Sequence, residues 1–359
     1  FYVPSKAPFD MFHADYKSGV KLFVKRVFIT DDEKELLPVY LRFVRGIIDS
    51  EDLPLNVSRE ILQQNRILAG IQSASVKKLL GEFRKLAESD PVKYDTFITE
   101  FNRPLKEGLY SDYAHREELA ELVRFKTTFE AAAEKDEDGN EKPASVWTSF
   151  ADYVSRMKTD QKAIYYITGG DEKTLRQSPH LEAYRAKGFE VLIMSDEIDD
   201  IVIPSLGKYK DWDLKAVNRA GSDDELANEE EKKAAKEKEK DSKPVVEKIK
   251  KALGERVKDV RVSRRLADSP SCIVVDENDP SLQMERMMKA MGQAGLAEVK
   301  PILEINPDHA LVTKLRDTDD EGYIDDVSSV LLDQALLVEG SDIKDPADFV
   351  KKLNRLLSK

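Results

Sequence analysis

Residues 19–30, GVKLFVKRVFIT, alternate apolar and polar side chains with the period of two expected of a strand with one buried face. The next stretch, LLPVYLRFVRGIID (36–49), is apolar without a clean period and predicts helix or mixed structure. The period then changes to that of a helix. Ser58 is placed to cap a helix that runs past Leu68, and SVKKLLGEFRKLAES (75–89) is a second helical stretch. Pro91 ends it, since a proline inside a helix removes a backbone donor. KYDTFITEFNRPLKEG continues in helical period to Pro104, and REELAELVRF (116–125) is a further amphipathic piece. EAAAEKDEDGNEKPAS (130–145) is polar, carries turn residues at Asp138-Gly139, and predicts a flexible connection.

A second pattern begins near Ser149. FADYVSRM is helical, AIYYITG is a short apolar strand, SPHLEAYRAKG is a helix closed by Gly188, and FEVLIMS is another apolar strand. One strand–helix–strand crossover of this kind favours a parallel pair in a small α/β/α layer. From about Lys208 the chain is dense in both charge signs, and its Glu/Lys alternation predicts a solvated helix laced with i,i+4 pairs rather than a polybasic ligand site. VKDVRVSRRL, SCIVVDE and KPILEINPDHALV read as strands or strand-to-helix passages; YIDDVSSVLLDQALLVEG and PADFVKKLNRLLSK are two closing helices. The fold class is mixed α/β, in three regions. Residues 1–148 form a larger α/β region with connecting helices, 149–207 a smaller α/β/α region, and 208–359 a mainly helical C-terminal region.

Composition narrows the function classes. Hydrophobic residues make up 41% of the chain, enough for real cores. A net charge of −12 argues against nucleic acid or an anionic membrane as partner. The one cysteine, Cys272, leaves no intramolecular disulfide and fits a reducing compartment. No apolar run approaches the ~18 residues of a membrane span. The chain opens without Met on the strand-like FYVPSKAPFDMF, so a fragment of something longer is expected. His13, His115, His180 and His309 are scattered, and no metal site is expected. There is no nucleophile elbow, Walker loop or dinucleotide glycine pattern. Gly169-Gly170 follows a strand and reads as a turn, with approach to a ligand as the alternative. No complete catalytic site assembles.

Three features carry more. Of the 7 methionines, Met284, Met287, Met288 and Met291 lie at i, i+3, i+4 and i+7 on one helical face, begun by Asn278, Asp279 and Pro280 and ended by Gly292. Such a face is either a core stripe or an adaptable surface for many partners, because the thioether chain repacks easily. The closing helices carry Ile324, Val327, Leu331, Ala335 and Val338 on one stripe, and Phe349, Leu353, Leu356 and Leu357 on another. A two-helix hairpin cannot bury both alone, so they pack either on this chain or on a second copy in a four-helix bundle. In the second case a charge at Leu331 should separate the protomers and leave each folded. Finally, Arg59 follows the cap Ser58, where the helix end prefers the negative charge of Glu60 and a cation costs roughly 0.3–1 kcal/mol. Gln63 shares its face.

RFVRGIIDSEDLPLNVSREILQQN, DYVSRMKTDQKAIYYITG, SPHLEAYRAKGFEVL, LGERVKDVR and LLDQALL together resemble, in order, the bacterial branch of the heat shock protein 90 family of chaperones. The resemblance covers essentially the whole chain. It implies a truncated middle domain with a large and a small α/β/α part, then a mainly helical C-terminal dimerisation domain, the N-terminal ATPase domain being absent. It implies that Arg59 and Gln63 contact the ATP phosphate held by that missing domain; an Arg paired locally with Glu60 or Asp52 is the plainer reading. The resemblance further implies client contact at Met284, Met287, Met288 and Ile201. Two departures stand out: Pro280 replaces an apolar residue, and Ile201 replaces a tryptophan, of a close bacterial relative. A homodimer is implied through Ile324, Val327, Leu331, Ala335, Phe349, Leu353 and Leu356. The cofactors implied are none for this fragment, and ATP with Mg for the full-length protein. The partners implied are unfolded or partly folded clients and a chaperone of the heat shock protein 70 type, with neither nucleic acid nor membrane. The chain ends NRLLSK, without the acidic tail of cytosolic eukaryotic members or an endoplasmic-reticulum retention signal. The bacterial cytoplasm is the expected location and the mitochondrion the runner-up. The function expected is ATP-dependent folding and remodelling of client proteins, with no ATPase activity in this fragment alone. The alternatives are a nucleotide-independent protein-binding scaffold and a small-molecule enzyme at the crossover.

Overall fold

The structure is a computed structural model that describes residues 1–13, 15–17, 19–31, 36–54, 66–130, 134–135, 141–142, 145–222, 226–227, 229–276, 279–290, 292 and 299–358. The chain separates into two compact units, Phe1–Phe125 with Ala131–Asp152, and Lys126–Glu130 with Tyr153–Lys359.

In the first unit, strand β1 (Gly19–Val24) pairs antiparallel with β2 (Val27–Thr30) and parallel with β3 (Arg45–Ser50). The alternating stretch 19–30 is thus two strands rather than one. Lys25 and Arg26 turn the chain between them, with φ of 50° and 66°, a left-handed turn that the sequence hides by using no Gly or Asn there. The segment with no clean period yields β3 after a single short helical turn, Val39–Leu41. Helix α1 (Arg66–Ser89) is followed by α2 (Pro91–Ser111), whose cap Asp90 accepts a hydrogen bond from the Lys93 backbone N–H. α2 does not stop at Pro104, whose ring is buried within the unit. α3 (Arg116–Leu122) follows. Phe43 is fully buried and stacks on Phe101 with centroids 4.4 Å apart; Phe83 and Phe97 lie 4.8 Å apart in the same aromatic core. In the polar connection β5 (Glu134–Lys135) pairs with β6 (Glu141–Lys142), and Asp138-Gly139 lies outside the described residues.

α4 (Phe150–Arg156) crosses the division between units. The second unit holds a five-stranded sheet built from β4 (Lys126–Thr127), β7 (Ala163–Ile167), β8 (Leu192–Ile193), β9 (Lys208–Tyr209) and β10 (Trp212–Ala216) in the order β4-β8-β7-β10-β9. β7 is buried along its whole length, as its unbroken apolar run requires, and is parallel to both β8 and β10. The crossover from β7 to β8 carries α5 (Glu172–Arg176) and α6 (Glu182–Lys187). α6 ends at Gly188 with φ of 65°, a left-handed cap. α7 (Asp199–Leu206) precedes β9.

The rest of this unit sets β11 (Asp259–Val262), β12 (Ser271–Val274) and β13 (Ile302–Ile305) in the order β11-β13-β12. Helices α8 (Glu229–Leu253), α9 (Leu282–Ala290), α10 (Ala310–Asp317), α11 (Glu321–Val338) and α12 (Pro346–Leu357) accompany this sheet. The core joins Val245, Ile249 and Leu253 of α8 to Ile273, Leu303 and Ile305 of the sheet and to Val327, Leu331 and Ala335 of α11. No helix of the described residues is long and apolar enough to cross a membrane.

Candidate functional site

The methionine helix α9 begins one turn later than Asn278–Pro280 suggested. Ser281 is its cap: the hydroxyl accepts from the Met284 backbone N–H at 3.0 Å and donates to the Asp200 carboxylate at 2.7 Å. Asp200 lies in the first turn of α7 and is the neighbour of Ile201, so the two candidate contact elements are joined by a single hydrogen bond. Arg219 holds the preceding loop through the carbonyls of Asp276 and Asp279, at 3.0 and 2.5 Å.

No residue of α9 is fully buried. Leu282 packs against the core, and Met284, Met287 and Met288 are half-buried. Ile201 is half-buried as well. Arg286, on the same helix, donates to the carbonyls of Glu339 and Gly340 just past α11. The Glu339 carboxylate in turn meets Nε2 of His180 at 3.1 Å, and His180 is completely buried. Among the described residues the helix is moored by Ser281 on Asp200, by Arg286 on the carbonyls of Glu339 and Gly340 and by Leu282 in the core, none of them through a sulfur atom. Met291 lies outside the described residues, as do Arg59 and Gln63.

The space beside Gly169 is bounded by Thr168, Asn218, Ser281, Gln283 and Arg286 and has a volume of about 30 Å³. That admits a water or two and no small-molecule substrate. Gly169 itself has φ of 112°, so its glycine is demanded by the turn. Among the described residues no cluster of His, Cys, Asp or Glu could hold a metal ion.

The stripe of α11 has a different environment. Val327, Leu331 and Ala335 are 1%, 0% and 3% exposed and belong to their own unit's core. Ile324 and, from α12, Leu356 pack on that core and are half-buried; Phe349 and Leu353 of α12 are half-buried too. α12 is moored to α11 by Arg355 on Asp326 and by Lys352 on Asp325, and Lys352 also pairs with Asp348 one turn back on α12 itself. Burial alone would lower the Lys352 pKa, but the two carboxylates outweigh it and raise the value above that of a free lysine. Val350 and Leu357 are left outward at 51% and 77% exposure, with Leu337 and Val338 of α11 at 49% and 40%.

Sequence reasoning missed the residues that seat the helix. Ser281 was legible as a cap, since it stands directly before the helical period. Asp200, Arg286, Glu339 and His180 were not, because each meets its partner across dozens of residues.

All 359 residues match the family model described as Hsp90 protein. The "Chaperone protein HtpG" of Treponema denticola is 74% identical over 358 residues, covering 100% of this chain and 54% of that protein. Its namesakes in Treponema pallidum and Wolinella succinogenes are 66% and 52% identical, again over 100% of this chain and over 55% and 56% of their own lengths. The chain thus spans about half the length of these curated relatives. By the extent and identity of these matches, the chain belongs to the Hsp90 protein family.

Proposed function

We propose that this chain is the client-binding and self-associating portion of an ATP-dependent chaperone that folds and remodels other proteins. The observation that carries this reading is the face of α9, where Met284, Met287 and Met288 are only half-buried while Leu282 and the polar moorings fix the helix. Unbranched thioether side chains repack against apolar segments of many shapes, which suits a surface that must accept unfolded polypeptides of differing sequence. Ile201, next to Asp200, extends that surface from α7.

On this reading ATP with Mg²⁺ is held by a nucleotide-binding domain elsewhere in the longer protein, and this chain alone does not hydrolyse it. Arg59 and Gln63 reach the terminal phosphate, where a guanidinium stabilises developing charge. Two copies pair through Ile324, Phe349, Leu353 and Leu356, with Val327, Leu331 and Ala335 supporting the helix from beneath. A chaperone of the heat shock protein 70 type is a further partner, and the bacterial cytoplasm is the compartment.

The test is a double replacement, Met287→Ser with Met288→Ser. Two core methionines would cost ~2–5 kcal/mol each. A half-exposed pair that meets clients should cost less than about 1 kcal/mol together, close to the surface range. The melting temperature should then barely move, while the Kd for an unfolded model protein rises about tenfold, equivalent to ~1.4 kcal/mol. A large fall in melting temperature with unchanged affinity per folded molecule would overturn the reading.

A further inference from the structure

We propose that Met284, Met287 and Met288 form an oxidation site, through which a peroxide reversibly switches off protein binding. The inference rests on the reading of α9 as the binding surface and adds a means of regulating it.

The methionines occupy contrasting environments. Met11 and Met194 are each 1% exposed and sealed in cores. Met284, Met287 and Met288 stand within about one turn of a helix that has no fully buried residue. Oxidation of methionine needs only access to the sulfur. A sulfur lone pair attacks one peroxide oxygen and the O–O bond breaks. The sulfur gains that oxygen and becomes a sulfoxide. The departing oxygen keeps the bonding electrons, takes the remaining proton and leaves as water. The thioether loses two electrons, the peroxide gains them, and no protein base is required. The cysteine, Cys272, is 3% exposed and packed beside Glu304, so solvent peroxide meets thioethers first; Met157, half-buried outside α9, is the reference thioether whose oxidation should not track binding.

The product changes the surface and spares the scaffold. A sulfoxide is polar and chiral, so three oxidised residues at i, i+3 and i+4 turn an apolar face into a polar one. The moorings of α9 are the Ser281 hydroxyl on Asp200, Arg286 on the carbonyls of Glu339 and Gly340, and Leu282 in the core. Each survives oxidation unchanged. Binding should therefore be lost while the fold persists, and sulfoxide reductases of both stereospecificities, supplied with a dithiol as electron donor, should restore it: the sulfoxide oxygen leaves as water and the dithiol becomes a disulfide.

The experiment treats the folded chain with hydrogen peroxide and follows each methionine by peptide mass spectrometry. A gain of about 16 Da should appear at Met284, Met287 and Met288 at least about tenfold faster than at Met11 and Met194. The Kd for an unfolded model protein should rise about tenfold in step with it, and the mixed reductases should reverse both changes. For a Met284→Leu, Met287→Leu, Met288→Leu variant, whatever its Kd before treatment, the Kd after the same treatment should be unchanged. Equal oxidation rates at the α9 and core positions would overturn the inference, as would selective oxidation that leaves binding intact. The unoxidised Met287→Ser, Met288→Ser chain separates the two failures. If that chain binds normally, the reading of α9 fails; if it binds weakly while the oxidised chain binds well, only the oxidation switch fails.

Discussion

At the residue scale, a carboxylate in the crossover does more for the second unit than any feature of its sequence suggests. Glu182 accepts hydrogen bonds from the backbone N–H groups of Ala267, Asp268 and Ser269, and from the Ser269 hydroxyl at 2.5 Å. Burial pushes its pKa up, but these donors outweigh burial and hold it below the ordinary glutamate value. A depressed folded pKa gives stability that is present above the unfolded pKa of about 4.3 and is lost as pH falls through the folded value. The urea midpoint of the wild-type chain should therefore drop on acidification through that window. Glu182→Gln should remove that component of the drop, and urea titrations of both proteins at a series of pH values would show it. Identical slopes would mean that the loop does not hold the carboxylate. Close by, Arg265 is wholly buried, with its guanidinium on Glu304 and on the carbonyls of Val217 and Arg219. Breaking such a pair by removing one partner typically costs ~3–5 kcal/mol. Neither residue could be singled out in VKDVRVSRRL or SPHLEAYRAKG, because a buried charge and a solvated one read alike in a single sequence. What was read correctly at this scale was local, Gly188 closing its helix; the cap of the methionine helix was put at Asn278–Pro280 and lies at Ser281.

At the scale of elements, the apolar period located the long helices and β7, because those signals repeat many times over, but not the helix bounds: Arg66–Ser89 is continuous where two stretches were read, and α2 runs past Pro104. Short elements were harder to read. The hairpin of β1 and β2 was hidden by a turn made from Lys25 and Arg26, two exposed residues held at positive φ. Gly and Asn suit such positions and Lys and Arg do not. Replacing the pair by Asn-Gly should relieve strain without removing packing, and the backbone N–H of residue 26 can still donate to Asp49 as Arg26 does at 3.1 Å. A gain of about 1 kcal/mol in unfolding free energy is expected, visible in denaturant melts. A loss would show that the basic side chains themselves hold the turn. The stripe on α11 shows a deeper limit of pattern reading. Val327, Leu331 and Ala335 have the spacing of a buried face, and spacing is the same whether the covering surface belongs to this chain or to another. The partner was the chain's own sheet and α8.

At the scale of the whole molecule, the proposed pairing of two copies runs through half-buried residues, Ile324 of α11 with Phe349, Leu353 and Leu356 of α12. The effect expected at Leu331 changes accordingly. Leu331 is fully buried, so Leu331→Asp puts a charge in the core and should unfold the second unit rather than release folded monomers. Leu353→Asp, at a half-buried position on α12, should give folded monomers instead. Light scattering with circular dichroism distinguishes these outcomes, and a parent chain that is monomeric at micromolar concentration would remove the dimer proposal. The central claim, that the face of α9 receives unfolded protein, is tested most directly by amide hydrogen exchange. Exchange of residues 282–290 should slow when an unfolded model protein is added in excess, since a bound segment both covers the helix and suppresses its local opening. Unchanged exchange across 282–290, with protection appearing in other segments only, would contradict the account.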